Sequence, residues 1–178
     1  MNRAITVALK EAFTRLKKYA RLVNRNIPEL DNIDEATFRA FFLEAFMRAN
    51  KRATCQIEWN RYDLLIVQGK ARALIEFKFY FPSQHFDIEG KPTRWKGRAG
   101  SKNEGEFRAC VQKLKDCQVE GITHRYLVLA YRLVTHDNDS VPSFAKSYTT
   151  LDSYDVLPDK VATVSESSDY VCKLIDLG

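Results

Sequence analysis

Asp63, Glu76 and Lys78 are the residues whose types and spacing best suit chemistry. Two carboxylates with an amine beside them can hold a divalent cation, orient an attacking water and steady the charge that builds on a phosphate. Asp63 and Glu76 lie on the two arms of a candidate hairpin, 61–68 and 71–80, joined by Gly69-Lys70. Both arms are rich in β-branched and aromatic residues, and a two-residue loop with glycine first suits a tight reversal. Gln68 then pairs with Ala71, and counting outward sets Asp63 opposite Glu76. Opposed side chains on one face have Cβ atoms roughly 4.5–5.5 Å apart. Carboxylates ~5 Å apart repel by about 3 kcal/mol at an effective dielectric of ~20. A divalent cation between them relieves that cost, and an oxygen donor set suits Mg²⁺ or Mn²⁺. Strand alternation sets Arg72, Leu74, Glu76, Lys78 and Tyr80 on one face, so Lys78 projects beside the ion. Ala71, Ala73, Ile75, Phe77 and Phe79 take the other face, which must be buried.

The elements that position these residues follow from periodicity. Ile5, Ala8, Leu9, Phe13, Leu16, Ala20 and Val23 recur at helical spacing over 3–23, with Lys10, Lys17, Lys18 and Arg21 on the other face. Asn26-Ile-Pro28 breaks that helix. A second helix is expected over 33–50, with Phe38, Phe41, Phe42, Ala45, Phe46 and Ala49 on one side. Strands are expected at 53–59, 62–68 and 71–81, a long loop at 82–103, a helix at 103–118 and a strand at 125–133. The last of these is a near-continuous apolar run, as for a sheet covered on both faces. Segments 161–165 and 170–177 suit a hairpin. The expected fold class is therefore α/β, a mixed central sheet flanked by helices, in a single domain over 1–178.

Asp, then Glu-x-Lys on an apolar strand after an amphipathic helix, resembles the PD-(D/E)XK nuclease superfamily. Asp63 and Glu76-Phe77-Lys78 match its second and third motifs, and the proline that often precedes the first Asp is replaced by Tyr62. The likeness covers roughly residues 30 to 132. It implies a restriction-endonuclease-like core, in the order helix, three-stranded meander, helix, strand. It implies Asp63, Glu76 and the carbonyl of Phe77 as ligands of Mg²⁺ or Mn²⁺, with Lys78 orienting the water. Many members add a glutamate from the first core helix. At 100° per residue, Glu35 lies roughly 50° from the centre of the apolar face and Glu44 roughly 130° away, so Glu35 is the better candidate and Glu44 the reserve. Asn32-Ile-Asp-Glu35 also suits a capping box, which would give Glu35 a structural role instead. Gln112 and Lys115 are candidates for the polar residue some members carry on the following helix. Arg61 matches a basic residue that often precedes the metal-binding Asp.

Composition bounds the partners. The chain has 178 residues and a net charge of +5. The basic residues concentrate at 1–25 and 91–102, whereas acids dominate from Asp137 onward. A phosphate-binding face has this pattern. Lys91, Arg94, Lys96, Arg98 and Lys102 are the candidate nucleic-acid contacts, with Trp95 placed either to stack on a base or to anchor the loop to the core. No apolar run is long enough to span a bilayer, no secretory signal is evident, and Cys55, Cys110, Cys117 and Cys172 read as reduced thiols of a cytoplasmic protein. His85, His124 and His136 are too scattered for a zinc site. Nucleophile-elbow, Walker and dinucleotide-binding patterns are absent. The reading is a metal-dependent nuclease acting on nucleic acid, with DNA the expected substrate and a homodimer compatible with it. The alternative is a catalytically silent nuclease-like module. It would bind nucleic acid or a protein partner, as an immunity or scaffold factor does, for instance through the acidic 137–178 segment.

Overall fold

A computed structural model describes residues 1–26, 34–81, 83–89, 91–96, 101–132, 158–166 and 170–178. Its centre is a six-stranded mixed sheet in the order β1-β2-β3-β6-β8-β7. The elements run α1 (Asn2–Asn26), α2 (Glu35–Ala49), β1 (Thr54–Trp59), β2 (Tyr62–Gln68), β3 (Ala71–Tyr80), β4 (Ser83–Phe86), β5 (Pro92–Lys96), α3 (Ser101–Lys115), β6 (His124–Arg132), β7 (Val161–Glu166) and β8 (Tyr170–Asp176). A 3-10 turn at Pro158–Lys160 precedes β7. The chain is thus α/β, with helices on both faces of the sheet.

The two turns of the meander are locally encoded. Gly69 adopts φ +61° and Gln68 pairs with Ala71, as a two-residue loop with glycine first requires. Between β1 and β2, Asn60 and Arg61 both take positive φ, at 46° and 74°, which closes the Trp59–Tyr62 pair. Asparagine tolerates this region; arginine is held there at a cost.

β3 pairs antiparallel with β2 and parallel with β6, so it lies inside the sheet and needs apolar residues on both faces. On one face Ala73, Ile75 and Phe77 join Ile5, Leu9, Phe13, Phe38, Phe42 and Phe46 beneath α1 and α2. On the other, Leu74 and Tyr80 join Phe107, Val111 and Leu114 beneath α3. Both clusters include residues of β8, Cys172 and Leu174 in the first, Val171 and Ile175 in the second. The acidic C-terminal region therefore contributes core strands, and its 161–176 hairpin is part of the central sheet.

Two sequence expectations change. Segment 82–103 is not one loop: β4 and β5 pair antiparallel within it, with Asp87 Oδ1 accepting from the Glu89 and Lys91 N–H groups at the turn. The proline and glycines suggested irregular backbone, but Pro92 occupies a strand's first residue, where its missing N–H is tolerated. The capping box at Asn32 also falls. Asp34 is the N-cap of α2 and accepts from Thr37 N–H at 2.8 Å, so Glu35 is the first helical residue. Asn32, Arg98 and His136 lie outside the described residues, as do the side chains of Ala20, Arg21 and Val23.

Candidate active site

The β2–β3 ladder runs from Gln68↔Ala71 to Leu64↔Ile75, and the next position in register sets Asp63 against Glu76. There side chains replace the backbone ladder. The Phe77 N–H donates to Asp63 Oδ2 at 2.7 Å, and the Asp63 N–H donates to Glu76 Oε1 at 3.3 Å. Each carboxylate thus satisfies a strand donor that the opening ladder leaves without a carbonyl. Because a strand residue directs its N–H and C=O toward the same neighbour, the carbonyl of Phe77 faces the same gap.

Helices supply the cations around the pair. Arg39, one turn after Glu35 on α2, donates to Asp63 Oδ1 at 3.3 Å. Lys113 of α3 donates to Glu76 Oε1 and to the carbonyl of Arg61 at 2.8 Å, and lies 5.0 Å from the Tyr62 ring centroid. The Cys110 thiol lies 3.9 Å from Glu76 Oε2. Glu76 is only 3% exposed, while Asp63 is 22% exposed. Asp63 is therefore reached from the α2 layer and Glu76 from the α3 layer, with the strand gap between them.

The electrostatics bind Glu35 and Lys78 into the same group. Burial pushes the Glu35 carboxyl up to about 7, with Lys78 and Arg39 opposing the rise and Asp63 and Glu76 adding to it. Burial likewise raises the Glu76 carboxyl, against the pull of the Lys113 ammonium. For Lys78, burial favours the neutral amine, but Cys110, Glu35, Asp63 and Glu76 together outweigh it and hold its pKa above the ordinary value. Lys78 is thus a fixed positive charge at neutral pH, suited to stabilising an anion and unsuited to taking a proton.

The remaining candidates are dispersed. Glu44 is 56% exposed and pairs with Arg15 at 2.7 Å and with Arg48, which makes it a surface ion-pair residue. Gln112 faces out and donates to Asp116 just past the end of α3, and Lys115 is exposed. The Arg61 side chain is exposed, and only its backbone enters the site. Lys91 pairs with Glu89 at 3.0 Å, and Lys102 approaches Glu106 at 4.0 Å, both on the surface. Arg94, Trp95 and Lys96 lie on β5. Arg39, Cys110 and Lys113 were not legible as site residues. A signal for Arg39 existed in its i+4 spacing from Glu35, and for Lys113 in its i+3 spacing from Cys110 on the flank of the Phe107–Val111–Leu114 stripe.

Among the described residues no group of three or more His, Cys, Asp and Glu side chains closes around a point that could hold a metal. The oxygen donors beside the opened strands are the carboxylates of Asp63 and Glu76, with the Phe77 carbonyl on the side of that residue's N–H. All are hard oxygens, which fit Mg²⁺ or Mn²⁺ and not a softer ion.

No family model matches this chain, and neither a curated protein nor a solved structure shows significant similarity to it.

Proposed function

We propose that the protein is a divalent-metal-dependent nuclease of PD-(D/E)XK type, with a restriction-endonuclease-like core, hydrolysing phosphodiester bonds of DNA. The observation that carries this reading is the pair of carboxylates cross-bonded between opening strands, with the charged, half-buried Lys78 in their field. A bound Mg²⁺ or Mn²⁺ would act as a Lewis acid on the phosphate. Asp63, Glu76 and the Phe77 carbonyl would hold it. Lys78 orients the attacking water and stabilises charge on the phosphate oxygens. Glu35, with a pKa of about 7, is matched to accepting a proton at neutral pH. Lys10, Lys17 and Lys18 on α1 and the basic residues of 91–102 would hold the nucleic-acid backbone, and Trp95 would stack on a base.

A second reading is favoured by one observation: Arg39 and Lys113 already neutralise the two carboxylates. A catalytically silent module that binds nucleic acid or a protein partner would need no ion there. Supercoiled, linear and single-stranded DNA, incubated with Mg²⁺, Mn²⁺ or chelator, separate the two. Metal-dependent cleavage that falls on the order of a thousandfold in Lys78→Ala supports the nuclease. Equal inertness of wild type and variant with every substrate supports the silent module. No helix among the described residues is long and apolar enough to cross a membrane.

A further inference from the structure

The site carries a cation on Glu76 Oε1, the carboxylate oxygen turned toward Asp63. Glu76 Oε1 accepts from both Lys113 Nζ and the Asp63 N–H. A carboxylate oxygen has about two lone-pair sites, so those of Oε1 are engaged. The acid is locked in the core at 3% exposure, whereas the Lys113 side chain lies at the rim and is 33% exposed. Lys113 also has somewhere to stay: the Arg61 carbonyl and the Tyr62 ring hold its ammonium independently of Glu76. Arg61 takes positive φ, an unfavourable conformation for its residue type, and its carbonyl meets Lys113 there.

We propose that Lys113 is the resident counter-cation of Glu76 and that a divalent ion enters by displacing it, so that Lys113 sets the metal affinity of the site. The proposal rests on the nuclease reading and deepens it. A flexible stem lets the ammonium pivot on its Arg61 and Tyr62 contacts away from Glu76. Lys113 is then a positioning residue twice over: it keeps Glu76 compensated in the core without metal and yields the carboxylate when metal arrives. Removing it leaves a buried carboxylate without its partner, which destabilises the ion-free protein and favours any other cation at that oxygen.

Calorimetric titration with Mn²⁺ tests this on wild type, Lys113→Met, Lys113→Arg and Glu76→Gln. Wild type should bind Mn²⁺ and Glu76→Gln should lose that binding. Lys113→Met should bind on the order of tenfold more tightly, the effect of removing one nearby positive charge from a partly solvated site. Lys113→Arg should stay near wild type. Lys113→Met should also melt lower than wild type in chelator and gain more from added Mn²⁺. Unchanged or weaker Mn²⁺ binding by Lys113→Met, with Glu76→Gln still inert, overturns the counter-cation proposal and leaves the ion site standing. No Mn²⁺ uptake by wild type overturns both. A measurement on wild type alone covers the case in which Lys113→Met does not fold. Brief acetylation mapped by mass spectrometry should label Lys113 more when Mn²⁺ is added, with exposed Lys70 unchanged. Equal labelling of Lys113 with and without Mn²⁺ overturns the proposal.

Discussion

The two faces of β3 are built to opposite specifications. Toward α1 and α2, Ala73, Ile75 and Phe77 are fully buried and touch apolar neighbours; Phe77 packs edge-on against Phe38 and Phe42, with ring centroids 6.1 and 5.5 Å away. Toward α3, buried Leu74 and Tyr80 flank Glu76 and Lys78. The first face can be explained by dispersion and water exclusion alone. The second holds a buried acid whose desolvation is offset by Lys113, the Asp63 N–H and neighbouring charge. Burying a charge costs several kcal/mol unless it is well compensated. The apolar face is thus the rigid backing against which the polar one is held, and the two should respond differently to substitution.

The largest effect expected is from Phe77→Ala, which opens a cavity in the apolar face. Denaturant unfolding should show a loss of about 3–5 kcal/mol. The proposed ligand at this position is the backbone carbonyl, so protein that remains folded should still bind Mn²⁺. A loss of Mn²⁺ binding without a loss of stability would break the division between the faces.

Glu35→Gln sharpens the comparison at the site's edge. The folded-state pKa of Glu35 is raised from 4.5 to about 7, so the folded protein holds a proton that the unfolded chain releases between those values. The stability associated with that proton is fully present below about pH 4.5 and is lost as the pH rises through about 7. Metal-free Glu35→Gln should therefore gain on wild type between pH 5 and pH 8, by about 1–3 kcal/mol. Melting curves at the two pH values measure it. A constant difference would show that Glu35 titrates normally and lies outside the site's field.

Glu44→Ala should have the smallest effect. Its partners Arg15 and Arg48 are exposed, and its loss should cost about 0.5 kcal/mol. DNA cleavage by this variant should match wild type. A large fall in cleavage would return Glu44 to the site and displace Glu35.

Much of this is legible in the sequence. Gly69-Lys70 specifies a two-residue turn, and that turn specifies the register that brings Asp63 to Glu76, because side-chain facing along a strand repeats every two residues. The apolar repeats of α1, α2 and α3 follow from local periodicity in the same way. The β4–β5 ribbon was harder to read. Its short strands carry a leading proline and glycines on both sides, and local propensity is weak where a pair is only four or five residues long.

What sequence alone determined is therefore the hairpin, its register, the order of the helices and the strands of the central sheet, and the placement of Asp63, Glu76 and Lys78 on one ribbon. Each depends on interactions between near neighbours in the chain. Tertiary structure decided the rest: that β8 inserts between β6 and β7, that α2 delivers Arg39 to Asp63, and that α3 presents Lys113, and neither Gln112 nor Lys115, to Glu76. A helix's periodicity tells which side is apolar, but a residue on the flank of that stripe meets the core or the solvent according to how the helix sits on the sheet. That angle is set by packing between segments distant in sequence, which no local pattern encodes.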